Sequence, residues 1–123
     1  IGFQQKVSLV LKDPDPKDII IQINDTSQDG TDISWLWDVD FQYLGDSNAA
    51  SITTAGTRKY DMGLRLKYED IPCSSTTDMR STILDLVKNG TKNLYVIVNY
   101  SGLYRTNHLL TELEKGTEGG QSR

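Results

Sequence analysis

The chain has 123 residues, 37% of them hydrophobic and 24% charged, with a formal net charge of −4. That length and balance suit an ordinary globular protein with one domain around one hydrophobic core. The negative charge argues against a nucleic-acid partner, and no apolar run approaches the roughly 20 residues of a membrane span.

In chain order, Phe3, Val7, Val10 and Leu11 recur at helical spacing, so 2–12 reads as an amphipathic helix that Pro14 and Pro16 stop. Ile19 to Ile23 is a near-continuous apolar run. It suits a strand covered on both faces, as in a parallel sheet. Residues 33–44 fit a strand by alternation and a helix by Ile33, Leu36, Trp37 and Leu44. Topology favours the helix: if 19–23 and 51–55 are parallel strands, they need a crossover between them, and Asp32 is a good cap for it.

Residues 51–55 form the second strand candidate. Thr57 is placed to cap a helix running to about Tyr68, and 71–75 suits a short edge strand. Met79, Ile83, Leu86 and Val87 define a helix closed by Gly90, and 93–98 is the clearest strand. Leu103, Leu109, Leu110 and Leu113 predict a last helix, and 114–123 reads as a tail beyond a single 1–113 domain. The expected class is α/β: a small doubly wound, mostly parallel, Rossmann-like sheet with helices on both faces. Its first strand is open to lying ahead of Ile1, since the chain starts without Met, as an excised piece would.

The single cysteine, Cys73, cannot pair within the chain, which points to a reducing, cytoplasmic compartment and a buried structural thiol. In that setting the glycosylation triplet at Asn89 is chance. His108 has no ligand-spaced neighbour, and neither a Ser-His-Asp nor a Cys-His set is complete.

Ligands of open α/β sheets collect outside the carboxyl ends of the strands. Three polar loops leave those ends: 24–32, 56–58 and 99–102. The first carries Asp25, Asp29 and Asp32. It suits a hard cation, or a carboxylate that orients a histidine, or simply the Asp29-Gly30 turn followed by a helix cap. The spacing is not that of an EF-hand. Gly56-Thr57-Arg58 could face a phosphate or ribose, although a lone glycine at such a junction is more often structural. Trp35 and Trp37 could stack on a base, but core packing is commoner for aromatics in a periodic segment.

"INDTSQDGTDISWLWDVDF", "TTAGTRKYDMGLRLKYEDI" and "VIVNYSGL" resemble, in order and over nearly the whole chain, the C-terminal domain of the MurT family of Mur ligases. The resemblance implies a Mur ligase C-terminal-type fold. It implies part of a glutamine-hydrolysing carbon–nitrogen ligase, lipid II isoglutaminyl synthase. That ligase uses ATP to activate the D-glutamate α-carboxyl of lipid II, and ammonia from a class I glutamine amidotransferase of the GatD type converts it to D-isoglutamine. The partner supplies the Cys and His of the glutaminase triad, and the family's aspartate, which matches Asp32, completes it.

The resemblance further implies a nucleotide-facing lid of Thr57, Arg58 and Asp61. It implies a substrate or partner loop set of Asn24, Asp25, Asp29, Gly30, Trp35, Asp38, Asn99 and Tyr100. ATP and magnesium would sit mainly on a central domain outside these residues, so no cofactor and no metal site is expected in this piece, which would be inactive alone. The usual family motif, Asn-Asp-Asn-x-Ala-Asp-Gly-Arg-Asp, is altered here at Thr26, Gln28 and Thr31. Thr31 removes one interface donor that the family's arginine would supply. The alternative reading is a non-catalytic module that binds a nucleotide or a protein through the same loops.

Overall fold

The computed structural model describes residues 2–25, 33–99 and the strand 103–106. Helix α1 (Phe3–Leu11) opens the chain, with Val7 and Val10 fully buried. Strand β1 (Lys17–Gln22) follows, then a crossover to β2 (Ala49–Ala55), helix α2 (Lys59–Tyr68) and the short β3 (Ser74–Ser75). Helix α3 (Met79–Lys88), β4 (Leu94–Val98) and β5 (Leu103–Thr106) complete the order.

The sheet runs β3-β2-β1-β4-β5. β1 is parallel to β2 and β4, with Ile20 opposite Thr53 and Val96, and β3 is parallel to β2. β5 is antiparallel to β4. The expected α/β, mostly parallel architecture is therefore present.

Both faces are covered, which is why the isoleucine run does not alternate with polar residues. Ile19, Ile21, Ile23, Tyr95 and Ile97 pack with α1, α2 and the crossover through Val7, Val10, Met62, Leu66 and Phe41. Ile20, Leu94, Val96 and Val98 pack on the other face with Ile83 of α3. Each fully buried isoleucine stabilises the fold by about 1.5–3 kcal/mol.

Three local expectations are corrected. The crossover is helical, as topology required, but it forms two 3₁₀ segments, Ser34–Asp38 and Phe41–Asp46, rather than one α-helix. Its buried residues explain this: Leu36 and Val39, then Phe41 and Leu44, are each three apart, the repeat of a 3₁₀ turn. Ile33, not Asp32, occupies the capping position.

Thr57 does not cap α2. Arg58 holds that position, and Thr57 is engaged elsewhere. Leu103 to Thr106 is an edge strand rather than the start of a helix. The leucine spacing mimicked a helix, but pairing with the exposed edge of β4 satisfies more backbone groups. The rest of the expected last helix, from residue 107 on, and the tail lie outside the described residues.

Candidate functional site

The chain leaves β1 toward β2 on one side and returns to β4 on the other. In open α/β sheets such a reversal, here at the carboxyl ends of β1 and β4, is where ligands collect. Two asparagines join those ends. The Asn24 N–H donates to Asn99 Oδ1 at 3.0 Å, and Asn99 Nδ2 donates to the Asn24 carbonyl at 2.8 Å.

The loop after β2 closes on the same point. Asn24 Oδ1 accepts the Thr57 N–H at 2.8 Å, and the Thr57 hydroxyl accepts the Asp25 N–H at 2.8 Å. The Arg58 N–H donates to the Ile23 carbonyl at 2.9 Å. Gly56 makes this closeness possible. It has φ of +92°, and a Cβ there would lie 2.3 Å from the Ile23 carbonyl oxygen.

Arg58 Nε donates to Asp25 Oδ1 at 2.8 Å, and Nη1 donates to Asp61 Oδ2 at 3.3 Å. The hydrogen bond to Asp25 is the main reason that the guanidinium is held above its ordinary value. Asp25 and Asp61 are more than a third exposed, so the pairs orient side chains more than they stabilise the fold. Beside this network, Asn24, Gly56, Thr57, Lys59, Thr76 and Met79 line an open depression of about 290 Å³. Its size suits a phosphate or a short polar segment better than a whole nucleotide.

Of the predicted site residues, Asn24, Asp25, Thr57, Arg58, Asp61 and Asn99 thus come together at one end of the sheet. Trp35 and Asp38 lie on the first 3₁₀ segment. Trp35 is half-buried, its ring 5.3 Å from that of Phe3, so packing occupies much of it. Asp38 is exposed. Asp29, Gly30, Asp32 and Tyr100 lie outside the described residues. Among the described residues, no three acidic, histidine or cysteine side chains group to hold a metal ion, and no helix is long and apolar enough to cross a membrane.

Three buried cations escaped the sequence reading: Lys17 of β1, which donates to the Asp13 and Ser47 carbonyls, and two on helices. Arg65, 4% exposed, donates through Nε to the Leu36 carbonyl at 2.9 Å and through Nη2 to the Val39 carbonyl at 2.8 Å. Its Nη1 pairs with Glu69 at 2.5 Å. The guanidinium also lies 5.1 Å from the Trp37 ring and 5.4 Å from the Phe41 ring. Lys6, 2% exposed, donates to the Val98 carbonyl at 2.6 Å, just before Asn99. Burial pushes its ammonium below the ordinary value. A signal for the two helical ones was present: each occupies the apolar face of its helix, Arg65 beside Met62 and Leu66, Lys6 beside Phe3 and Val10.

The geometry meets its relatives at this point. The profile of the MurT ligase C-terminal family matches residues 1–103. The lipid II isoglutaminyl synthase (glutamine-hydrolyzing) subunit MurT of Staphylococcus aureus strain COL is 31% identical over 109 residues, covering 84% of this chain and 23% of that protein. The subunit of the same name from Streptococcus pneumoniae R6 is 24% identical over 113 residues, covering 89% of this chain and 25% of that protein. The chain thus spans about a quarter of the length of these relatives. With the family match over most of its residues and an identity above 30% to a relative, the chain belongs to the MurT ligase C-terminal family.

Proposed function

We propose that this domain serves the ligase subunit of a lipid II isoglutaminyl synthase and completes the glutaminase site of a partner subunit. Its support is the likeness to two subunits so named, together with a chain that leaves the carboxyl end of the central strand through Asn24 and Asp25, seven residues before Asp32. In this reading the partner is a class I glutamine amidotransferase of the GatD type, and the setting is the cytoplasm. The whole complex converts the D-glutamate α-carboxyl of lipid II to the amide.

Asp32 is the catalytic contribution of this chain. Its carboxylate accepts the second N–H of the partner's histidine, fixes the tautomer and stabilises the imidazolium formed as the cysteine gives up its proton. A thiol nucleophile and its base then belong to the partner; the one cysteine here, Cys73, is exposed rather than buried as expected, and partial desolvation still pushes its thiol up, away from the thiolate a nucleophile needs. Asn24, Asp25 and Asn99 form the rigid base of the partner-facing loop. Asp29, Gly30, Trp35, Asp38 and Tyr100 are proposed to shape or flank it.

Thr57, Arg58 and Asp61 face the nucleotide bound with magnesium by the rest of the subunit. Arg58 would meet a phosphate by exchanging one carboxylate partner for another anion. ATP supplies the activation of the carboxyl group.

The test is reconstitution. Adding the full-length ligase subunit to a GatD-type glutaminase should raise ammonia release from glutamine. Equal release with and without it contradicts the proposal.

A further inference from the structure

We infer that the outer face of α2, continued by Trp37 of the crossover, is the surface on which the glutaminase subunit docks. This rests on the proposed partnership and adds to it a contact surface made of Trp37, Tyr60, Leu64 and Tyr68.

Helix α2 is apolar on two sides. Met62 and Leu66 face the core and are fully buried. Tyr60, Leu64 and Tyr68 recur every four residues on the opposite side and are 72%, 58% and 73% exposed. A surface helix usually carries one apolar stripe, and a helix apolar all round is covered all round. The fold covers the inner side of α2 and leaves the outer stripe open. Leu9 of α1 and Leu84 of α3 are single exposures of the kind any surface has.

Trp37 lengthens the stripe. Its ring stands edge-on to that of Tyr68, with centroids 5.1 Å apart and planes at 86°. The Arg65 guanidinium, 5.1 Å from the same Trp37 ring, is itself held by the carbonyls of Leu36 and Val39, on either side of Trp37 in the chain. The indole is thus set in place before any partner arrives, yet 47% of Trp37 stays exposed. A pre-set aromatic loses little freedom on binding, and Trp and Tyr recur as interface anchors. At about 150–250 Å² per aromatic side chain, the three aromatics alone leave on the order of 400 Å² in contact with water. That equals the largest patch on a typical monomer, and about half of one side of a standard interface.

The occupant follows from chain distance and charge. Asp32 is one peptide bond from Ile33, and Trp37 is four residues further on, across a turn in which the Leu36 N–H donates to the Ile33 carbonyl at 3.0 Å. With about 3.8 Å between adjacent Cα atoms and a 3₁₀ rise of about 2.0 Å, the covalent chain alone keeps Trp37 within about 15 Å of Asp32. A standard interface covers about 800 Å² on each partner, a disc roughly 30 Å across. A subunit that brings its histidine to Asp32 therefore reaches Trp37 and, beyond it, α2. Lys59, whose Nζ lies 4.8 Å from the Tyr60 ring, and the exposed Lys67 rim the stripe. The complementary face of the glutaminase is an apolar centre bordered by carboxylates.

The experiment measures, by calorimetry, the Kd of the full-length ligase subunit for its glutaminase. The parent is compared with Leu64→Glu, Tyr60→Ser, Leu84→Glu and Asp32→Asn. Leu64→Glu should raise Kd about ten- to hundred-fold and Tyr60→Ser about tenfold, because a charge or a gap in the apolar centre of an interface is costly. Both positions are largely exposed, so the Tm of the unbound subunit should not move. Leu84→Glu lies on the helix that covers the other face of the sheet and should bind as the parent does.

A parent-like Kd for both Leu64→Glu and Tyr60→Ser overturns the inference. So does an unchanged Kd with a lowered Tm of the unbound subunit, or with loss of its self-association, since the stripe then belongs to the rest of its own subunit or to a second copy. An equal rise for Leu84→Glu marks a general charge effect and overturns it too. The proposed function is read separately: Asp32→Asn should collapse glutamine hydrolysis with Kd little changed, and normal hydrolysis overturns that function whatever the stripe variants show.

Discussion

Asn24 and Asn99 exchange two hydrogen bonds across the carboxyl ends of β1 and β4, at 3.0 Å and 2.8 Å. One amide side chain thereby satisfies both backbone groups of Asn24. Asn24 in turn uses its own side chain to accept the Thr57 N–H. Three strand ends are tied by two asparagines and a threonine.

Asn99→Ala removes both partners of the Asn24 backbone. Each half-buried group left unsatisfied costs about 1–3 kcal/mol, less where water reaches it. We expect a loss of about 1–2 kcal/mol in urea unfolding with an unchanged slope. Equal midpoints for variant and parent would show that the pair is replaced by water at no loss.

Gly56→Ala should destabilise more strongly. The added methyl group meets the Ile23 carbonyl at 2.3 Å and Asn24 Oδ1 at 2.8 Å, at a φ that L residues rarely adopt. The backbone must shift, which separates Thr57 from Asn24. A loss of about 2 kcal/mol or more follows. Thermal unfolding measures it, and a Tm equal to the parent's would refute the packing described at this junction.

Lys6 gives a pH dependence of defined sign. Burial lowers its value in the folded state below the ordinary 10.5. Between the folded and unfolded values, the unfolded chain binds more protons, so this group makes stability rise with pH across that window and contributes no slope below it. Urea midpoints from pH 7 to 10 should show a flatter alkaline response for Lys6→Met than for the parent. Identical slopes would mean that Lys6 carries its proton as readily folded as unfolded.

How much of this was legible depends on what each segment answers to. The central strands were readable because Ile19–Ile23 and 93–98 are apolar without alternation, and only a doubly covered sheet accepts that. The meeting of Asn24, Thr57 and Asn99 followed from the strand directions alone. The crossover was misjudged in kind because its three-residue burial repeat, Leu36 to Val39 and Phe41 to Leu44, is close to the α-helical one, and because the donor that satisfies its carbonyls, Arg65, comes from another element. Leu103–Thr106 was misread because an edge strand is made by its neighbour's open backbone, not by its own pattern. Thr57 looked like a cap, but its hydroxyl serves Asp25, a partner that no local rule names.

In the proposed function the carboxylate of Asp32 serves a histidine on another subunit. The direct measurement is steady-state glutamine hydrolysis by the complex of full-length ligase subunit and glutaminase, comparing Asp32→Asn with the parent. The amide keeps the shape and removes the charge, so kcat should fall by several orders of magnitude, about 10⁴ as for a triad aspartate, while the complex still forms. An Asp32→Asn complex that hydrolyses glutamine at the parent's rate would contradict it.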